Sequence, residues 1–233
     1  MSINTQVIVI RDNETSETGF INLKESSKKV GNDFDLNRFD AITADMSQAI
    51  LAGNGLKWNY PWEGKETDLS TGLIKSAYPT ANPDTRIACA MSHWLLWNNC
   101  VKADEPLLIL EHDAYFIAKL EYELALSSKY DVIGINSPAA ATRRAHQFHD
   151  IVQAGDSWIQ PVPSIDEFNI PQGLAGNSAY IIKPAGAKTL IDLSYKHGVW
   201  PNDALMCKQL ISTLGVTKTY YTRVQGLPST TVG

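Results

Sequence analysis

Two acidic residues stand where a continuous aliphatic run ends. Leu107-Leu108-Ile109-Leu110 leads straight into Glu111-His112-Asp113. Charge beside a buried run is costly unless it is paired or holds a cation. Alternation along an extended chain would set Glu111 and Asp113 on one side and His112 on the other. Two carboxylates on one side suit a hard divalent ion, Mn2+ or Mg2+, and such an ion bridges phosphate oxygens. The plainer reading is a strand-end acid that caps a helix or pairs with Lys119. Other residues invite a similar double reading. Trp58, Tyr60 and Trp62 lie close together, and indole faces stack on sugars and bases; they also serve as packing anchors. Arg143, Arg144, His146 and His149 form the one locally basic cluster, fit for an anionic acceptor or a phosphate, or simply a solvated loop. Arg86 can pair with a phosphate or sit in solvent at a helix start.

These groups need elements to hold them. Four short runs are apolar without alternation: residues 7–10, 107–110, 132–135 and 179–182. Such runs suit strands buried on both faces. Between residues 85 and 101, Ile87, Ala90, Met91, Trp94, Leu95 and Val101 fall on one helical stripe. Pro184 suits the first turn of a helix over 185–193. Asn202 or Asp203 suits the N-cap of a helix running through Leu214, with Gly215 ending it. Strands alternating with helices predict an α/β fold with a mostly parallel central sheet flanked by helices. Two stretches, 53–84 and 137–173, read as long unstructured loops that would frame a ligand crevice. With no repeat and no clear linker, the 233 residues read as a single domain.

Composition narrows the function. With 44% hydrophobic and 19% charged residues the chain is globular rather than disordered. A net charge of −5 excludes a globally basic nucleic-acid binder. No apolar run approaches the ~20 residues of a membrane span, and the N-terminus lacks a basic-then-apolar leader, so the expected location is cytoplasmic. Cys89, Cys100 and Cys207 match no disulfide framework or zinc spacing and read as buried thiols.

Several motifs, in order, resemble glycosyltransferase family 25, which includes lipooligosaccharide and collagen galactosyltransferases. Arg86-Ile87-Ala88-Cys89-Ala90-Met91-Ser92-His93-Trp94-Leu95-Leu96-Trp97 is similar to its "G-C-A-x-S-H-x-x-x-W" helix, and the run ending Glu111-His112-Asp113 to its "L-E-D-D" strand end. Gly176-Asn177-Ser178-Ala179-Tyr180-Ile181-Ile182 through Lys188 resembles its "G-x-x-x-Y-x-I-x-x-x-G-A-K" segment. Pro201-Asn202-Asp203 resembles "P-x-D", and the tail from Gln225 to Ser229 resembles "Q-x-x-x-S". Two positions depart from the pattern: Ala88 replaces the usual glycine, and His112 the middle acid.

The resemblance implies a GT-A-like fold, a UDP-hexose donor and an inverting transfer to a glycan hydroxyl. It implies a cation held by Asp113 with help from Glu111. Asp203 would be the base that takes the acceptor proton, although an Asp there is also a good N-cap. His93 would contact donor or acceptor. Arg11, Arg86, Ser92, Glu111, Gln225 and Ser229 would meet the donor; Arg143, Arg144, Asn177 and Trp62 would meet the acceptor. Three other readings remain at this level: a transferase acting on a hydroxylated DNA base, a metal-dependent phosphoester hydrolase, and a sugar-nucleotide binder without turnover.

Overall fold

A computed structural model describes residues 2–142, 144–228 and 230. In chain order the elements are β1 (Asn4–Val9), α1 (Glu14–Lys29), β2 (Arg38–Asp40), α2 (Ala44–Gly53), β3 (Lys65–Thr67), β4 (Ile74–Ser76), α3 (Pro83–Ala103), β5 (Leu107–Glu111), β6 (Ala114–Phe116), α4 (Tyr122–Ser127), β7 (Val132–Gly134), α5 (Ala145–Ala154), β8 (Ile159–Pro161), β9 (Ala179–Ile182), α6 (Pro184–His197), α7 (Asn202–Leu205), β10 (Leu214–Thr217) and β11 (Thr222–Val224).

Seven strands form the central sheet, in the order β2-β1-β5-β9-β7-β10-β8. Five run the same way; β9 opposes both β5 and β7, and β8 opposes β10. The expected α/β architecture with a mostly parallel sheet flanked by helices is the one observed. The apolar runs are continuous because both faces are covered. Leu107 and Ile109 enter one core with Met91, Trp97 and Leu190 of the helices, while Leu108 and Leu110 enter another with Leu23 and Phe116.

Helix α3 begins where Asn82 accepts a hydrogen bond from the Asp84 amide and Pro83 sets the first turn, and it stops at Asp104 in the left-handed conformation. Its buried residues lie on more than one face, because it is packed against both α2 and α6. Helix α1 is opened by Asn13, whose side chain accepts from the Ser16 amide. No helix among the described residues is long and apolar enough to cross a membrane.

Three expectations need correction. The helix starting near Asn202 ends at Leu205, and Leu214 and Gly215 belong to β10. The apolar spacing there reflects tertiary burial: the Lys208 amide bonds to the Gln172 carbonyl, and Gly173 packs so tightly that a Cβ would lie 2.7 Å from the Asp203 carbonyl oxygen. The stretch 53–84 carries the β3–β4 hairpin, and 137–173 carries α5 and β8. Finally, β5 ends at Glu111 and a turn intervenes before β6, so alternation does not extend to Asp113. Glu111, His112 and Asp113 all border one cavity instead.

Candidate functional site

The sheet's reversal of direction assembles the site. Because β9 opposes β5, the start of β9 lies beside the end of β5, and the Glu111 amide donates to the Ser178 carbonyl at 2.8 Å. Ligands of open α/β sheets sit at this edge, where the parallel strands end. The β6–β11 ribbon then fixes the acidic turn: the Gln225 amide donates to the Asp113 carbonyl at 2.8 Å.

Two adjoining cavities open here. One, of about 400 Å³, is largely apolar and touches Ile8, Ile10, Ala41, Ile42 and Ala88. The other, of about 530 Å³, is bordered by Arg86, Glu111, Asp113, Asn177, Asn202 and Asp203. Cys89, Glu111, His112, Pro228 and Thr230 border both, so a ligand spanning the two must pass Glu111.

The larger cavity is incomplete as a polar structure. Six buried side-chain nitrogen or oxygen atoms among the described residues lack a hydrogen-bond partner, and four of them belong to residues at its wall: Asp113 Oδ1, both amide atoms of Asn177, and Asn202 Oδ1. Buried polar groups are otherwise almost always paired. Electrostatics point the same way. Burial and then the Glu111 charge push Asp113 up to about 7, against the Ser178 hydrogen bond. Glu111 goes down: burial opposes ionisation, but the His93 hydrogen bond and the neighbouring His93 and His112 rings outweigh it. Asp203 is exposed at the cavity wall; desolvation by the surrounding protein, then the Glu111 charge, raise its proton affinity against the pull of Arg86 and His93.

His93 is fully buried and both of its ring nitrogens are engaged. Nδ1 lies 2.8 Å from the Tyr180 hydroxyl and Nε2 lies 3.0 Å from Glu111 Oε1. The Trp97 indole N–H donates to the Tyr180 oxygen at 2.9 Å. An indole only donates, so Tyr180 is free to donate to Nδ1, leaving Nε2–H to donate to Glu111. Trp97, Tyr180 and His93 thus form a chain that aims one carboxylate.

Other expected site residues are placed differently. The Ser92 hydroxyl donates to the Ala88 carbonyl and accepts from the Ile42 amide, each at 2.9 Å, tying α3 to the loop before α2. The Gln225 amide nitrogen lies 2.8–3.1 Å from the carbonyls of Gly19, Ala114 and His112, and its oxygen accepts from Asn22, so it staples the acidic turn to α1. Arg86 donates to Thr80 and Pro79 and lies over the Tyr78 ring while bordering the cavity. Arg11 is exposed and pairs with Asp40. Arg144 pairs with Asp166 at 2.7 Å, and Trp62 stacks on Trp58 with centroids 4.9 Å apart; neither residue borders the two cavities. Tyr60 is buried and donates to the Ser76 carbonyl. His146 and His149 are exposed on α5. Arg143 and Ser229 lie outside the described residues. Asn202, Ser178, Tyr180 and Trp97 were not singled out as site residues, though all lie in or beside the quoted motifs.

The family model of glycosyltransferase family 25, described as LPS biosynthesis protein, matches residues 20–206. The chain belongs to glycosyltransferase family 25. This family-25 chain is therefore a glycosyltransferase with an α/β fold. No curated protein matches it by sequence. Among solved structures it is similar to the galactosyltransferase LgtC in complex with donor and acceptor sugar analogues, at 9% identity and a TM-score of 0.44, over 91% of this chain and 72% of that one. It is also similar to mouse xyloside xylosyltransferase 1 in its apo form, at 8% identity and a TM-score of 0.40, over 90% and 81%.

Proposed function

We propose that the chain transfers a hexose from a UDP-sugar to a hydroxyl of a glycan, with inversion at the sugar carbon and with Mn2+ or Mg2+ as cofactor. The observation that carries this reading is the set of unpartnered polar atoms on Asp113, Asn177 and Asn202 around one cavity that also holds Asp203. A hydroxyl-rich ligand satisfies such atoms; an apolar one leaves them stranded. The apolar neighbouring cavity suits a flat base, with the ligand's anionic middle passing Glu111.

The two carboxylates fit a divalent cation, since Asp113 has an orphaned oxygen and is driven toward protonation by burial and then by the Glu111 charge. Glu111 and Asp113 would hold it, and when bound it neutralises the charge that grows on the departing diphosphate. The chain's own residues do the rest. His93 holds Glu111 in place. Asn177 and Asn202 hold sugar hydroxyls. Asp203, with a raised proton affinity and solvent access, takes the acceptor's proton as the new glycosidic bond forms. A glycan acceptor is favoured over a DNA base because Arg144, in the basic cluster, is occupied by Asp166.

The test is a panel of nucleotide-sugars assayed for nucleoside diphosphate release with and without chelator, with the product anomer read by NMR. Full activity in chelator, or retention of configuration, would falsify this mechanism.

A further inference from the structure

We propose that Cys89, His93 and Glu111 form a second, soft-metal site of the zinc class that shares Glu111 with the catalytic pair and so inhibits transfer when filled. Their ligand atoms all lie within 4.8 Å of one another. Helix α3 places Cys89 and His93 four residues apart, one turn along a single face. β5 brings Glu111 to them, with His93 Nε2 3.0 Å from Glu111 Oε1. Sulfur, imidazole and carboxylate are the zinc donor types, and three protein ligands with one open position make a site accessible to exchange. Both Cys89 and Glu111 border the two cavities, which would give an ion access to the site.

The histidine is already supported as a ligand. Metal-bound histidines are oriented through their other nitrogen, and Nδ1 lies 2.8 Å from the Tyr180 hydroxyl, itself held by Trp97. On binding, the Cys89 S–H proton leaves to solvent as the sulfur–metal bond forms. For Nε2 to ligate, the neutral ring must carry its one proton on Nδ1, which then donates a hydrogen bond to the Tyr180 oxygen while the Tyr180 O–H turns away from the ring. The thiolate sets selectivity: it favours Zn2+ and Co2+, while Mg2+ and Mn2+ prefer oxygen.

Binding does not depend on the transferase reading; only the inhibitory consequence rests on it. Metal-free protein is titrated with Co2+ and then Zn2+. The expected result is a thiolate-to-cobalt charge-transfer band at one equivalent, removed by Zn2+, lost in Cys89→Ser and kept in Asp113→Asn. Tyr180→Phe should weaken Zn2+ binding by about 10–100-fold. Transfer driven by Mn2+ should be inhibited by Zn2+, with the inhibitory concentration raised at least about tenfold in Cys89→Ser. A missing band, or one unchanged in Cys89→Ser, overturns the site even if transfer proceeds. A normal band in a protein that transfers no sugar upholds the site and removes the transferase mechanism alone.

Discussion

Two of the buried polar clusters among the described residues differ in whether they are complete. Beneath the β3–β4 hairpin, Lys75 is wholly buried beside Asp68. Lys75 Nζ donates to Asp68 Oδ2 at 3.1 Å and to the backbone and side-chain oxygens of Asn59 at 3.0 and 3.1 Å. Asp68 Oδ1 accepts from the amides of Ser70 and Thr71 and from both hydroxyls. No atom of this cluster is orphaned. At the sheet edge, Asp113, Asn177 and Asn202, which border the larger cavity, each keep a buried side-chain atom without a hydrogen-bond partner. A closed network has finished its work within the fold; an open one is completed by a ligand. The closed cluster also fixes the segment leading to Asp203, because Asn59 bonds to the carbonyls of Val199 and His197 at 3.0 and 2.7 Å.

The sharpest way to break the comparison is to neutralise one acid in each cluster. Asp113→Asn should cost turnover on the order of 10²–10³-fold, the scale of losing one charge-stabilising group. Its ligand-free stability at neutral pH should rise. Asp113 is lifted from 3.8 to about 7 in the fold. Its contribution is therefore fully present below pH 3.8 and is lost as pH climbs through about 7. The variant should remove that decline from a melting-temperature profile across pH 4–8. An unchanged profile would mean that Asp113 is already paired.

The closed cluster should respond with the opposite signs. Lys75→Met leaves Asp68 buried without its cation and should cost about 3–5 kcal/mol by chemical denaturation. Donor affinity of the remaining folded protein should stay at the wild-type value. Asp68 is enclosed, but its hydroxyl and lysine partners hold it well below the usual carboxylate range. Its stabilisation is therefore present at neutral pH and lost in acid, below about pH 4. Asp68→Asn should flatten that acid arm and leave the neutral one. If both acids shift the same arm, the two clusters are not distinct in kind.

Much of the closed framework is readable from residues alone, and much of the open site is not. The run 107–110 announces a strand because both of its faces are buried, and α3 announces itself by its apolar stripe. The hairpin strand Lys65–Thr67 is fully exposed and has no apolar alternation to reveal it. The pattern after Asn202 mimics a helix because Leu205, Met206, Ile211 and Leu214 are buried by partners distant in sequence. In the site, the acidic pair and Asp203 stand out by residue type. The turn that undoes alternation at Asp113 does not, since it is set by the Gln225 amide more than a hundred residues away. Gln225 itself belongs to a motif, but spacing cannot say that its amide is consumed by three carbonyls. Nor can spacing show that Asn202 is left unpartnered, because a missing bond is a property of the assembled cavity.

The smallest effect separates two asparagines. Asn177→Ala removes atoms that bond to nothing in the ligand-free protein, so its melting temperature should hold or rise. Its KM for sugar substrate should increase about tenfold, equal to about 1.4 kcal/mol of lost binding. Asn59→Ala removes an amide that accepts from Lys75 and donates to the His197 carbonyl. That leaves a buried cation short of a partner and should lower stability by about 1–3 kcal/mol, with KM changed far less than in Asn177→Ala. The pair share one side chain and one substitution, so only the completeness of the surrounding network distinguishes them. A loss of stability in Asn177→Ala as large as that in Asn59→Ala would show that Asn177 has a partner in the fold, and the cavity would lose its claim to a hydroxyl-rich ligand.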